Sequence, residues 1–426
     1  MKPEGFSSFE FLLSYLYQLQ RLGIKTGLEH SRKLLEVCGR PDKDLRIIHI
    51  AGTNGKGSVS ANIANILRSE GLKTGLYTSP HLIRFNERIR INGIPITDEE
   101  IIEFVRIYRS DIDRIEATFF ETTTAMALWY FQQKNVDVCV VETGLGGRLD
   151  STNVINPDLT VITPVDMDHA EYLGNTIEKI AGEKAGIIKK DVPLILARQR
   201  PEAESVILDR AKTMNAKVIN VFPDEITNVY SGMNGTNFRL GNEEFKSGLI
   251  GAHQASNAAL AVKAVRTYLP TISEKSIKQG LLNVVWPGRL QLLQSEPPVF
   301  YDVAHNPHGI EAVSETLGSI GIKKVVGLIA LKGDKNVDNI AEALKGKFHK
   351  LFSTYELNND LIDAAVLAEE LNRRGIKCQP LMQIDKDIEQ FINAVSDCDG
   401  GLIFGSHYIG KAIYKLFDFS FDKGHI

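Results

Sequence analysis

The stretch Ile47-Ile48-His49-Ile50-Ala51-Gly52-Thr53-Asn54-Gly55-Lys56-Gly57-Ser58 constrains the fold more than any other. An apolar run stops at three glycines, a lysine and a hydroxyl, and an amphipathic segment follows at once. That order reads as strand, phosphate loop, helix. Glycines let backbone N–H groups close around phosphate oxygens, and the helix N-terminus adds its partial positive charge. Lys56 can reach terminal phosphates, and Ser58 can offer an oxygen to Mg²⁺. The spacing departs from G-x-x-x-x-G-K-[ST]: Ile50 stands where the first glycine belongs, and Gly57 separates Lys56 from the hydroxyl.

With 426 residues the chain is long for one core, so two domains are expected. A net charge of −4 supplies no global basic field, which argues against a nucleic-acid partner. No apolar run is long enough to cross a bilayer, and Met1-Lys2-Pro3-Glu4-Gly5 lacks a signal-peptide pattern. Cys38, Cys139, Cys378 and Cys398 are far apart with no C-x-x-C, as expected of reduced thiols in a cytoplasmic protein.

Helices are expected from Ser8 to about Val37, from Ser58 to Gly71, over Asp98–Ser110, Glu121–Gln133 and Thr176–Ile188, and over His253–Tyr268. Met126, Leu128, Trp129 and Phe131 read as core. Strands are expected at Thr74–Thr78, Val136–Val141, Leu159–Thr163 and Val192–Ala197. The alternation predicts a mostly parallel sheet with helices on both faces. Arg84 to Gly93 alternates with period two, as a solvated edge strand or as a basic lip over an anionic substrate. Residues 226–250 read as an antiparallel edge. A domain boundary is expected at 294–298, followed by a smaller Rossmann-like α/β domain with strands at Val299–Asp302, Val325–Ala330, Lys350–Ser353, Lys377–Gln379 and Gly401–Gly405. The second domain has no phosphate loop of its own.

Several polar groups end apolar strands: Lys56 and Ser58, Ser79, Glu142, His169, then Asp302 and His305. Carboxyl ends of parallel strands share one edge, so the first five converge. Ser58, Ser79 and Glu142 suit Mg²⁺, whereas His169 by itself suits an orienting or proton-handling role equally well. Phosphate loop, carboxylate and second domain permit a kinase, an NTP-driven switch or an ATP-dependent ligase.

Ala51 to Ser58 together with Ser79-Pro80-His81-Leu82 resembles the Mur ligase superfamily. Glu142 through Asn153, Glu183 through Lys189, Pro287-Gly288-Arg289 and Asp302 through Gly309 narrow the resemblance to the folylpolyglutamate synthase and dihydrofolate synthase family. The resemblance implies ATP-dependent, ADP-forming amide ligation of L-glutamate to dihydropteroate and to folates through an acyl phosphate. It implies that Thr53, Asn54, Gly55, Lys56, Gly57 and Ser58 hold the triphosphate, with Asn257 at adenine and Arg289 and Asp302 as nucleotide contacts. Ser58, Ser79, Glu142 and His169 match magnesium ligands, with two ions expected. Lys184, otherwise read as a surface helix lysine, matches a lysine carboxylated on its side-chain nitrogen. His305 falls near the acyl phosphate or incoming glutamate. Thr118, Phe119, Phe120, Glu121, Leu149, Asp150 and Ser151 match positions lining a pterin pocket, although Phe119 and Phe120 also read as core.

Two features depart from the family pattern: Val303 in Asp302-Val303-Ala304-His305, and His407, to which no role is assigned. The alternatives are a folylpolyglutamate synthase without the first activity and a catalytically silent nucleotide-binding regulator. A cell-wall ligase of the superfamily would need a further N-terminal domain, and only about 45 residues precede the loop strand, too few by usual domain sizes. A monomer acting on small molecules is expected.

Overall fold

The computed structural model describes residues 9–23, 27–333, 335–356 and 360–419. The first sheet holds β1 (Ile47–Ala51), β2 (Thr74–Tyr77), β3 (Ile89–Ile91), β4 (Ile94–Pro95), β5 (Val138–Glu142), β6 (Leu159–Ile162), β7 (Leu194–Ala197) and β8 (Val218–Val221). Its order is β4-β3-β2-β5-β1-β6-β7-β8, and only the β2–β3 and β3–β4 pairings are antiparallel. The loop strand β1 is therefore central, between β5 and β6.

Both faces are apolar, as a parallel sheet covered on both sides requires. Ile48, Ile50, Leu76, Val138 and Val140 face one core with the helices Lys56–Ser69 and Ala252–Tyr268. Ile47, Tyr77, Cys139 and Val141 face the other, with Phe9–Gln18, Glu29–Val37, Asp98–Ile115 and Phe119–Gln133. Met126, Leu128, Trp129 and Phe131 are in this second core, as expected. Among the described residues no helix is long and apolar enough to cross a membrane.

The segment 226–250 forms a separate sheet, β9 (Ile226–Gly232), β10 (Gly235–Leu240) and β11 (Glu243–Ser247), rather than an edge of the main one. Phe238 and Phe245 stack and join the core beneath Ala252–Tyr268.

The last sheet contains β12 (Gln291–Ser295), β13 (Pro298–Asp302), β14 (Val325–Ile329), β15 (Lys350–Ser353), β16 (Cys378–Pro380) and β17 (Gly400–Phe404), in the order β12-β13-β17-β14-β15-β16. It is parallel except for β12, which pairs antiparallel with β13. The stretch expected to be a boundary is the turn of this hairpin, so the second sheet begins at Gln291. Glu296-Pro297 is the tight connection between the two strands, and Pro298 already opens β13.

The Arg84–Gly93 reading also needs correction. Residues Phe85–Arg88 form a 3₁₀ turn, and only Ile89–Ile91 is strand, with β4 outside it. Arg88 and Arg90 are buried. Arg90 is no solvated edge cation: its guanidinium donates to Glu87 O (3.1 Å) and Gly93 O (3.0 Å). Buried polar groups must find such partners, and here they are main-chain carbonyls.

Candidate active site

The carboxyl ends of β1, β2, β5 and β6 meet those of β13 and β17 across a cleft bordered by Ser79, Glu142, Trp286, Arg289, His305 and His407. The phosphate loop floors it. Gly52, at φ +152°, leaves no room for a side chain, because a Cβ would lie 1.8 Å from Thr163 Oγ1. Thr53 and Asn54 donate their amides to Pro164 O (3.0 and 3.2 Å), and Thr53 Oγ1 donates to Asp166 O. These contacts spend two of the expected phosphate donors on shaping the loop. The amides of Lys56, Gly57 and Ser58 open the helix Lys56–Ser69 and are its orphan donors.

Gly57 has a local reason. A Cβ there would meet the Trp286 indole at 2.8 Å, so the extra glycine lets Trp286 close over the loop. Asn257, expected at adenine, lies against Gly55, where a Cβ would be 2.5 Å from its Oδ1, and donates to Gln254 Oε1.

Lys56 Nζ donates to Gly52 O (3.0 Å) and Thr53 O (3.2 Å), and Lys184 Nζ donates to the same Gly52 O (2.8 Å). Lys184 is 4% exposed, so it is no surface lysine. Burial, then the Lys56 charge, push its pKa down to about 7. Its helix Ile177–Ala185 is held by backbone contact with the turn after Glu142. A Cβ on Gly147 would be 2.7 Å from Glu183 O, and one on Gly186 would be 2.4 Å from Arg148 Cβ. Arg148 N donates to Glu183 O (2.7 Å), and its side chain pairs with the Glu183 carboxylate.

Glu142 is 3% exposed and ends β5. Burial pushes its carboxyl up to about 7, against Lys56, the Ser79 amide at 3.2 Å, Arg289 and Arg88. A buried carboxylate so sparsely partnered, with Ser79 beside it in the same cleft, offers oxygens of the kind that fit a magnesium ion. Among the described residues no group of three or more His, Cys, Asp or Glu is placed to hold a metal. His169 has a side chain 40% exposed, a φ of +50° and its Nε2 3.6 Å from Asp168 Oδ2. Asp168, not singled out from the sequence, belongs here. Burial would raise its carboxyl, but the fields of His169, His305, Lys335 and Lys56 hold it low.

Across the cleft, His305 Nδ1 donates to Val303 O (2.9 Å), which leaves Nε2 as the acceptor nitrogen. Asp302 accepts from Leu290 N and Ala304 N, both at 2.7 Å. Its two oxygens thus brace the Arg289 segment against β13. His407, given no role by sequence, lines the cleft, packed on Tyr408 with ring centroids 4.3 Å apart. His81 accepts at Nδ1 from Arg88 Nε (2.8 Å), and that guanidinium lies 5.2 Å over the Phe119 ring.

The expected pterin-side residues divide. Thr118 and Glu121 form a capping box: Thr118 Oγ1 accepts from Glu121 N, and Glu121 Oε2 accepts from Thr118 N (2.8 Å). Phe119 is core, stacked on Tyr17. Phe120 is half-buried and covers Gly144, where a Cβ would be 2.1 Å from the ring. Leu149 is half-buried, Asp150 turns inward to Leu145 N and Thr152, and Ser151 Oγ meets Thr124 Oγ1 (2.7 Å).

The Mur ligase middle domain matches residues 50–265, and the Mur ligase glutamate ligase domain matches 288–407. The chain is 38% identical to the dihydrofolate synthase/folylpolyglutamate synthase of Bacillus subtilis over 390 residues, 86% of this chain and 90% of that protein. It is 35% identical to the folylpolyglutamate synthase of Lacticaseibacillus casei over 80% of this chain and 83% of that protein. Mycobacterium tuberculosis folylpolyglutamate synthase complexed with ADP superposes with a TM-score of 0.89 at 31% identity, covering 97% of this chain and 100% of that one.

Proposed function

Since the chain belongs to the Mur ligase family and is a ligase of its folylpolyglutamate synthase and dihydrofolate synthase branch, we propose that it joins L-glutamate both to dihydropteroate and to folates, with ATP converted to ADP and phosphate. One observation carries the reading. Lys56 and Lys184 converge on a single loop carbonyl, Gly52 O, at the same sheet edge as the buried Glu142.

The chemistry follows from charge. Both reactants are anions, so positioning and neutralisation dominate. The first turn of Lys56–Ser69 and the Lys56 ammonium bind the phosphate chain, Lys56 exchanging its carbonyl partners for phosphate oxygens. An acceptor carboxylate oxygen bonds to the γ-phosphorus as the bond to ADP breaks. The glutamate amine then attacks the acyl carbon and phosphate leaves. The bare Nε2 of His305 takes the proton the amine sheds. Arg289 holds negative charge at the domain junction, and Trp286 shields the loop from water. Mg²⁺, when bound, neutralises phosphate charge; Ser58, Ser79, Glu142 and His169 would hold it. With a pKa near 7, much of Lys184 is free amine at neutrality, the form that takes up CO₂. Carboxylation on Nζ would make it an anion able to support a second ion. ¹³C-bicarbonate should then give a carbamate NMR signal absent from Lys184→Ala.

The Lacticaseibacillus casei relative, named for the second activity alone, supports a monofunctional reading. Phosphate release from ATP separates the two, measured with glutamate plus dihydropteroate and with glutamate plus a reduced folate. Release with both is expected. Release only with the folate refutes the first activity, and none with either refutes the ligase reading. Lys56→Ala should abolish turnover; near-normal activity would refute the phosphate-loop assignment.

A further inference from the structure

His49 lies in β1, two residues from the strand's end, with no solvent exposure. Its neighbours in the strand are isoleucine and alanine, and a buried imidazole there loses its water without return unless its nitrogens find work. Nε2 is 2.9 Å from Thr152 Oγ1, and Nδ1 has no partner. Thr152 Oγ1 is 2.6 Å from Asp150 Oδ1, which also accepts from Thr152 N (3.0 Å). The other carboxylate oxygen accepts from Leu145 N at 2.7 Å.

The proton positions follow. Asp150, with backbone amides on both oxygens, acts as acceptor, so the Thr152 hydroxyl donates to it. Thr152 Oγ1 must then receive its own hydrogen bond from His49, which places the hydrogen on Nε2 and leaves Nδ1 bare. The lone unsatisfied nitrogen is the one this tautomer predicts. A directed chain thus runs from the strand that feeds the phosphate loop to the carboxylate that pins the glycine-rich turn after Glu142.

From this geometry we infer that His49 is a positioning residue of the ligation: through Thr152 it orients Asp150 and so sets the 144–151 turn against the acceptor. The inference rests on the expectation above that Leu149, Asp150 and Ser151 line the acceptor's pocket. His49 touches neither nucleotide nor acceptor.

Steady-state kinetics of His49→Leu, His49→Gln, Thr152→Val and the double variant His49→Leu/Thr152→Val test it, with thermal midpoints recorded for each. Loss of a hydrogen bond relayed to a carboxylate should lower kcat/KM for the acceptor about tenfold in His49→Leu, with KM for ATP within about twofold. His49→Gln can place an amide N–H where Nε2 sits and should recover most of the loss. Thr152→Val should match His49→Leu, and the double variant should be no worse than either. Additive losses in the double variant overturn the relay. So does a His49→Gln variant as impaired as His49→Leu, its acceptor kinetics falling only as its midpoint falls. A non-additive loss confined to KM for ATP would leave the relay standing and remove the turn from the acceptor side.

Discussion

Lys184→Met should make the protein more stable at neutral pH while destroying its activity. The native ammonium is 4% exposed with a single carbonyl partner, Gly52 O, which keeps Lys56 as a donor when Lys184 is gone. Its pKa falls from 10.5 to about 7 through burial and the Lys56 charge. At 1.36 kcal/mol per pH unit that fall is about 5 kcal/mol held against the fold below pH 7. Between about pH 7 and 10.5 the unfolded chain carries one more proton at this group than the native one, so native stability rises with pH by about 1.4 kcal/mol per unit. Methionine carries no such penalty. Urea unfolding in CO₂-free, metal-free buffer should show Lys184→Met ahead by about 4 kcal/mol at pH 7, with the gap closing toward pH 10. A wild type at least as stable at pH 7, or a gap that does not change with pH, would refute the reasoning. The result would place this lysine among groups kept for function at the expense of stability.

Gly57→Ala should push Trp286 aside and raise KM for ATP, with about 1–3 kcal/mol of overpacking; Gly57→Ala/Trp286→Leu should recover ATP binding, and failure to recover it would leave Trp286 out of the explanation. Glu142→Gln should weaken the Mg²⁺ dependence of turnover. In the wild type the carboxyl pushed up to about 7 must ionise to hold the cation, so apparent Mg²⁺ affinity should climb as pH passes 7 and then level; a flat titration from pH 6 to 8 would contradict this. Thr118→Ala removes half of a capping box and should cost about 1 kcal/mol in denaturant unfolding with KM for the acceptor nearly unchanged. A large KM effect without loss of stability would restore Thr118 to the substrate pocket.

The parallel sheet and its ligand edge were legible because they rest on local signals: an apolar run, then glycine, then a helix start. Strand-terminal residues such as Glu142 and Asp302 could be placed by that logic alone. Lys184 could not, because nothing in Glu183-Lys184-Ala185-Gly186 says which helix face the sheet covers; two glycines far apart in sequence decide it. The Arg84–Gly93 stretch misled because a 3₁₀ turn entering a short strand imitates alternation over a few residues, while Arg90 is satisfied by carbonyls and Arg88 by the His81 ring rather than by water. Thr118 and Glu121 carry a capping-box signature that the sequence reading did not use. Trp286 and His407 line the cleft through long-range packing, and Asp168, though next to the strand-end His169, was not marked by any signal of its own. The Gln294–Pro298 stretch, expected as a domain boundary, is a hairpin inside the second sheet.

The glycines at 147 and 186 have a consequence for how this protein can be altered. Each makes room for the other segment's main chain, so the turn carrying the end of β5 and the helix carrying Lys184 mesh like adjacent teeth. Neither tooth can thicken alone. A library randomised at both positions and selected for folate-dependent growth should return glycine at each almost without exception, while the exposed Arg148 and its half-buried partner Glu183, on the outer face of the same joint, tolerate exchange. Attempts to retune the distance between carboxylate and lysine, for a longer nucleophile or a larger ion, would have to move the joint as one piece. The practical handles therefore lie elsewhere, on the Trp286 side, where a side chain rather than a main chain sets the clearance.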